Sequence, residues 1–302
     1  MSADLIGYRV VAVHAHPDDE SIATGGALAD LARRGAEVTV ITCTLGEQGE
    51  VIGDTYQELI TDRADQLGGF RIHELRTALG ILGVHGRHLG LPGLFRDSGM
   101  VGDPAHEHPK AFVNSGERAV ELLAEQLREL TPHLVITYGP DGGYGHPDHI
   151  RAHEITHAAA AEVHVPRILW GVSDAADLAA GLRTITAVPE GWRQAGEGEL
   201  AAVDSGDIAL TLDDHAFAAK LGAMRAHATQ IWIADGSVSE TNPAAAFATV
   251  TDREAAPVVW ALSNLVAQPL LRREHYQLGA GLELPTGATG LLDGIELNAP
   301  RG

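Results

Sequence analysis

The chain has 302 residues, of which 45% are hydrophobic and 21% charged, and these proportions exclude a disordered chain in favour of a globular one. A formal charge of -20 opposes phosphate backbones and anionic lipid surfaces, because both are gripped by clustered Lys and Arg. Neither a nucleic acid nor a membrane is therefore expected as partner, and a small molecule is.

In chain order, Met1 to Arg9 lacks a basic segment followed by an apolar one, so no secretory leader is read there. Tyr8 to His14, rich in valine, predicts a buried strand, and Ser21 to Arg34, stopped by Gly35, predicts a helix. Val38 to Cys43 reads as a second strand. Helices are expected over Asp54 to Leu67 and Ile72 to Leu82, with a break at Gly68-Gly69, then a short strand over His88 to Leu91. Pro92 to Ser115 has little periodicity and reads as a long loop, a length at which loops tend to be functional. Glu117 to Leu130 predicts an amphipathic helix that Pro132 stops before a strand over His133 to Thr137. Beyond it, strands are read at Arg167 to Val172, Ile208 to Leu212 and Ile231 to Ile233, a helix at Ala216 to His227, and a loose tail over Gly279 to Gly302. Ala255 to Leu271 is the longest apolar stretch, but Ser263, Asn264 and Gln268 interrupt it and it falls short of the roughly 20 residues of a spanning helix. Cys43 is the single cysteine, which rules out an internal disulfide, suits a reducing cytoplasm, and in a strand-like run reads as core.

The alternation of strand and helix predicts an α/β fold: a mostly parallel, Rossmann-like sheet with helices on both faces, plus a smaller C-terminal α+β part. The expected division is a catalytic core over residues 1–165 and, over 166–302, a part that completes the substrate cleft. In such sheets ligands bind outside the carboxyl ends of the strands, where strand order reverses. After the first strand a dinucleotide site requires a glycine-rich turn, and this chain has His16-Pro17-Asp18-Asp19-Glu20 instead. After the strand ending at Thr137 comes Gly143-Tyr144-Gly145-His146-Pro147-Asp148-His149. His16 and Asp19, three apart, share one side of a turn, whereas Asp18 points elsewhere. Helix capping alone would also account for Asp18, Asp19 and Glu20. A loop that gathers His146, Asp148 and His149 beside a tyrosine is harder to explain without a site. Two histidines and a carboxylate on one metal leave positions open for water and substrate, as catalytic sites do.

These motifs resemble the metal-dependent amide hydrolases that deacetylate N-acetylglucosaminyl lipids and N-acetylglucosaminyl inositol. The resemblance extends to Thr42–Gly53, Ala64–Arg71, Arg96–Met100, Ala226–Gln230 and Glu274–Tyr276, and covers the first 160 residues well and the rest in patches. It implies His16, Asp19 and His149 as ligands of one divalent ion and Asp18 as general base; nitrogen and oxygen ligands with open positions accommodate zinc, iron(II), cobalt or nickel, and zinc is expected, with iron(II) as the alternative. It implies Tyr144 and His146 at the oxyanion and leaving group, with Asp148 holding His146 and raising its pKa, and Glu50, Arg71 and Asp97 as contacts to sugar or inositol hydroxyls. An ordinary solvated charge or ion pair is the competing account of those last three. His153 and His157 lie on the helix after His149, each turn carrying them about 5.4 Å further from the strand end, and are expected to be helix-face residues. His14 is expected in the core.

Within the family, Gly145 and the Glu50-Val51-Ile52-Gly53 segment resemble the branch that removes acetate from N-acetyl-glucosaminyl-inositol in mycothiol biosynthesis. The alternative branch cleaves mycothiol S-conjugates at the same nitrogen. An iron and oxoglutarate-dependent oxygenase also uses two histidines and a carboxylate, but on antiparallel β architectures that the helix and strand rhythm disfavours. The substrate expected is a small soluble glycoside, and oligomeric state is left open.

Overall fold

The computed structural model describes residues 4–297. Five parallel strands form its centre: β1 (Arg9–His14), β2 (Glu37–Thr42), β3 (His85–His88), β4 (Leu134–Thr137) and β5 (Arg167–Val172). They lie in the order β3-β2-β1-β4-β5, and two antiparallel strands, Arg273–Gly281 and then Ile208–Thr211, extend the same sheet beyond β5. Strands of this kind are covered on both faces, which is why β1 reads as an unbroken apolar run. Its residues alternate between the faces: Val11 and Val13 join one core cluster, Val10 and Ala12 the other.

Helices complete both layers. The chain after β1 forms α1 (Asp19–Ala23) and α2 (Gly25–Arg33), which part at Thr24, so the single helix expected over Ser21 to Arg34 is two. α3 (Leu67–Leu82) and α2 cover one face, with Leu28, Leu31, Leu75 and Leu79 packed against Val10, Val38 and Ile136. α4 (Gly116–Leu130) and α5 (Pro147–Val163) cover the other, with Leu123, Leu127 and Ile155 against Val11 and Val135. α6 (Ala175–Thr184) and α7 (Asp214–Ala226) belong to the C-terminal half. There Phe217 and Met224 of α7 pack on Trp260 and Leu270 of an antiparallel pair, Val258–Ala261 and Val266–Leu270. The apolar stretch from Ala255 is thus a hairpin, and no helix among the described residues is long and apolar enough to cross a membrane.

Three local expectations are corrected. Asp54 to Leu67 holds only a short 3-10 turn at Gln57–Leu59, because residues 62–66 are exposed and offer no apolar face to pay for helix nucleation. α3 continues through Gly68-Gly69. A Cβ at Gly68 would stand 2.8 Å from Glu47 Cγ and 3.0 Å from Leu45 Cβ, so the glycine admits the loop after β2 instead of breaking the helix. The third strand is His85–His88, ahead of the expected His88 to Leu91. The tail is also less loose than its composition suggests. Gly279 to Gly281 finish a strand, and Leu291, Leu292 and Ile295 are buried in the core. Arg167, fully buried, donates to the carbonyls of Leu282, Glu283 and Leu291, while residues 298–302 lie outside the described range.

One contact ties the C-terminal half to the start of the first motif's helices. The buried Glu274 carboxylate accepts the N–H groups of Gly26 and Ala27, at 2.9 and 2.8 Å, at the N-terminus of α2. Lys220 Nζ and the Tyr276 hydroxyl donate to the same carboxylate at 2.6 and 2.9 Å. A negative group at free helical N–H donors is the favoured polarity, and the lysine neutralises a charge that burial alone would forbid.

Candidate active site

The sheet reverses direction between β1 and β4, and both motifs leave the carboxyl ends of those two strands. After β1 the chain turns through His16 and Pro17 into α1. After β4 it runs from Tyr138 through a glycine-rich turn into α5, where the His146 side chain accepts the Asp148 N–H at 3.1 Å and Pro147 fills the first helical position. Gly142 has φ +66°, and a Cβ there would sit 2.8 Å from His149 Cβ. This glycine lets the turn pass directly beneath the histidine.

Side-chain atoms of His16, Asp19 and His149 meet at one point. His16 Nδ1 is 3.3 Å from His149 Nε2 and 3.4 Å from Asp19 Oδ2, and His149 Nε2 is 3.3 Å from Asp19 Oδ1. Ligands about 2.0–2.1 Å from a tetrahedral ion stand ~3.3–3.4 Å apart, and each of these pairs falls in that range, with Asp19 meeting its two partners through different oxygens. The far nitrogens fix the tautomers. His16 Nε2 lies 3.3 Å from Asp148 Oδ2 and 3.5 Å from Asp97 Oδ1, and His149 Nδ1 lies 3.1 Å from the Gly142 carbonyl. With those nitrogens donating, a cation that displaced the second proton of His16 would meet the lone pairs of His16 Nδ1 and His149 Nε2, as in metal sites whose histidines are held by carboxylates and carbonyls behind them. Burial would lower the His16 pKa, but Asp97, Asp148 and Asp19 around it hold it well above the usual imidazole value. Burial likewise opposes ionisation of Asp19, and His149 and His16 overcome it and hold its carboxyl well below the usual range. Such a nest of imidazoles and carboxylates has the charge to receive a cation.

Asp18 stands apart from that point. Its backbone is at φ +112°, its N–H donates to Glu20 Oε2 at 3.0 Å, and Arg71 donates to its Oδ2 at 2.9 Å. Burial pushes its carboxyl up to about 6, against the pull of Arg71. A base near neutrality suits proton transfer at physiological pH. His146 is buried beside the same cluster, its ring 4.6 Å from that of His16 and 4.9 Å from that of His149. Burial first, and then His16 and His149, lower its pKa to about 3. The neutral ring accepts at Nδ1 and therefore carries its proton on Nε2. Tyr144 is 58% exposed at the rim, edge-on to His146 and His149 at 6.0 and 5.1 Å.

The expected link between Asp148 and His146 takes a different form. Asp148 Oδ2 accepts from Ser98 N at 2.9 Å and faces His16, and only the backbone N–H of Asp148 reaches His146. The carboxylate thus supports the first motif, and the pull of Asp97 and Asp19 on His146 is outweighed by burial and the two neighbouring imidazoles. Arg71 and Asp97 are turned inward as well. Arg71, 2% exposed, donates to the Gly46 and Pro17 carbonyls besides Asp18. Asp97 accepts from Gln48 N and Gly99 N, at 3.2 and 2.8 Å, behind His16. Buried charges require such partners, which leaves these two as supports of Asp18 and His16 and not as open hydroxyl contacts. Glu50 is exposed and stands free to meet solvent or ligand. His153 donates from Nδ1 to the Tyr138 carbonyl, His157 accepts from Trp170, and His14 pairs with Thr24, so all three are occupied away from the gap. Cys43 is buried, and burial raises its thiol pKa, as befits a core residue.

Residues with no assigned part in the sequence reading complete the arrangement. The Tyr138 hydroxyl accepts Ala15 N and donates to Asp19 Oδ2 at 2.7 Å, while its ring stacks on His149 at 4.1 Å. Glu47, whose carboxyl burial pushes up, accepts the Asp97 N–H at 3.0 Å. The available signal was position: Tyr138 follows β4 directly, as Ala15 follows β1, and strand ends are where such sites form.

Comparison with known proteins gives the family. The profile of the family described as PIG-L, GlcNAc-PI de-N-acetylase, matches residues 11–160, a span that holds both motifs. A Corynebacterium glutamicum (strain R) protein named 1D-myo-inositol 2-acetamido-2-deoxy-alpha-D-glucopyranoside deacetylase is 69% identical over 293 residues, covering 97% of this chain and 98% of that one. The chain belongs to the GlcNAc-PI de-N-acetylase family. A Nocardia farcinica member with the same name is 49% identical, with 92% of each chain covered, so the likeness runs through the C-terminal half too. Membership makes the chain a hydrolytic deacetylase by class. Among solved structures, the 4-carboxy-2-hydroxymuconate hydratase of Pseudomonas putida KT2440 covers 93% of this chain and 100% of its own at a TM-score of 0.52 and 17% identity, a likeness of fold alone.

Proposed function

We propose that the enzyme hydrolyses the acetamide of N-acetyl-glucosaminyl-inositol to acetate and glucosaminyl-inositol, a step of mycothiol biosynthesis. The observation that carries the catalytic reading is the pair of histidines whose rear nitrogens are engaged, so that His16 Nδ1 and His149 Nε2 converge with Asp19. The substrate comes from the relatives: the protein at 69% identity over nearly its whole length carries the deacetylase name. His16, Asp19 and His149 would hold one divalent ion, zinc by its preference for a nitrogen and oxygen set with open positions, or iron(II) by the same ligands. Bound there, the ion lowers the pKa of water and polarises the amide carbonyl.

Asp18, buried with a carboxyl near neutrality, accepts the proton of the attacking water. Its bond from Arg71 leaves one oxygen for that task and keeps the other fixed. His146 donates from Nε2 to the oxygen on which charge develops, with Tyr144 as the second donor from the rim. The departing amine takes the proton that Asp18 removed from the water, so Asp18 ends ionised and the neutral His146 keeps its Nε2 proton throughout. Asp148 and Asp97 orient His16, and Glu50 at the mouth accepts hydrogen bonds from substrate hydroxyls. We further propose that residues 1–165 supply all the reacting groups while 166–302 close the cleft, and that the enzyme works in the cytoplasm, where its one cysteine stays reduced.

The test is an assay of purified protein with zinc or iron(II) added back, on N-acetyl-glucosaminyl-inositol and a mycothiol S-conjugate side by side. A higher kcat/KM on the acetylated glycoside is expected. A clear preference for the conjugate would move the enzyme to the amidase branch. A second expectation concerns Tyr138→Phe, which removes the hydroxyl joining Ala15 N to Asp19. Loss of a partner behind a ligand costs about 10- to 100-fold in metal affinity. Competition with a chelator should show that weakening, and unchanged affinity would remove Tyr138 from the support of Asp19.

A further inference from the structure

A fully buried ion pair with no part in the chemistry above lies directly behind Asp18. Glu20 and His227 are each 0% exposed, and His227 Nε2 sits 2.7 Å from Glu20 Oε1. Ser21 Oγ donates to that same oxygen at 2.6 Å. The other oxygen of Glu20 accepts the backbone N–H of Asp18, the residue held at φ +112°. Positive φ on a residue with a Cβ persists only where the surroundings impose it. His227 is itself anchored, at the C-terminus of α7, by its N–H to Met224 O and by its carbonyl, which accepts Gln230 N and Ile231 N. An unbroken line of contacts therefore runs from α7 through His227 and Glu20 to the backbone of the catalytic carboxylate.

We infer that His227 and Glu20 are positioning residues, by which the C-terminal half holds Asp18 in its left-handed backbone conformation and so aims its carboxylate at the reacting water. Apolar residues at both 20 and 227 would serve stability as well as a charged pair in a dry interior, but they could not accept the Asp18 N–H. Although Glu20 follows Asp19 in the chain, neither side chain of the pair hydrogen-bonds to His16, Asp19 or His149, and the backbone N–H that Glu20 accepts is that of Asp18. His227 thereby gains a role that reaches the chemistry through Glu20. The inference rests on Asp18 as the general base.

Conservative replacements of His227 make the test. The amide nitrogen of Gln reaches where Nε2 stands, and that of Asn does not. His227→Asn should lower kcat on N-acetyl-glucosaminyl-inositol on the order of 10- to 100-fold, the cost of misplacing a reacting group by about an ångström. KM and zinc content should stay near the parent's, and His227→Gln should recover much of the loss. In an Asp18→Asn background, followed by single-turnover assay, His227→Asn should cost nothing more, because the group it aims is already gone. An equal loss in both backgrounds, a loss that Gln fails to relieve, or no loss at all would overturn the inference. Should His227→Asn fail to fold, Ser21→Ala removes a donor from the same Glu20 oxygen and is read in the same way. Full turnover in Asp18→Asn alone would instead strike the general-base assignment, which is a separate failure.

Discussion

Asp18→Asn will keep its metal and lose about 10²- to 10⁴-fold in kcat, the usual contribution of a positioned general base. Asp18 makes none of the short contacts that join His16, Asp19 and His149, so metal content measured on the purified variant should match the parent. The replacement is close in shape and can still accept from Arg71. A variant that turned over at the parental rate would remove Asp18 from the reaction. The pH dependence has a definite sign. Since Asp18 must be ionised to act and titrates at about 6 in the metal-free protein, kcat/KM should climb as pH rises through the acid limb. A cation bound nearby favours the charged form and moves that limb to lower pH. Stability runs the other way. The folded value lies above the ordinary 3.8, so the group's contribution is fully present below 3.8 and lost as pH rises through about 6. Metal-free Asp18→Asn escapes that loss, and its Tm should gain on the parent's between pH 4 and 7, roughly the window set by the shift. A constant Tm difference across that window would show that Asp18 is not strained in its ionised form.

His149→Ala will abolish activity by abolishing tight metal binding. One ligand of three disappears, and the Nε2 lone pair facing His16 and Asp19 goes with it. The fold should survive, because the strand ends are held independently: Thr137 Oγ1 donates to Val13 O, Ala15 N donates to Tyr138, and Ile155 and Ala159 anchor α5 in the core. Equilibrium dialysis with zinc, beside circular dichroism, reads both outcomes. His146 is the sharp control, since His16, His146 and His149 all present ring nitrogens within 4.8 Å of one another. If His146→Ala lost the metal and His149→Ala retained it, the ligand set would be wrong.

Much of this was legible in the chain itself. The β-branched runs at β1, β2 and β4 and the spacing of the helices between them require buried parallel strands, and parallel strands put both acidic histidine motifs at carboxyl ends. Periodicity also placed α4 and β5 to within a residue, since each has a strong apolar pattern that packing merely satisfied. Where local signals were weak they misled. The glycines at 68 and 69 resemble a break, yet one of them is a close contact made by a residue 21 positions earlier in the chain, at Glu47.

The tertiary structure alone decided how the charges are partnered. Arg71, Asp97 and Asp148 carry the right chemistry to meet a substrate, but burial obliges each to find a counter-group, and the nearest are Asp18 and His16. The same necessity gave Glu274 to the N-terminus of α2, and His227 to Glu20 across 207 residues of sequence. A sequence displays which groups titrate and where the strands end. Which charge faces which depends on contacts between distant segments, and the low dielectric of the interior makes those contacts obligatory without making them local.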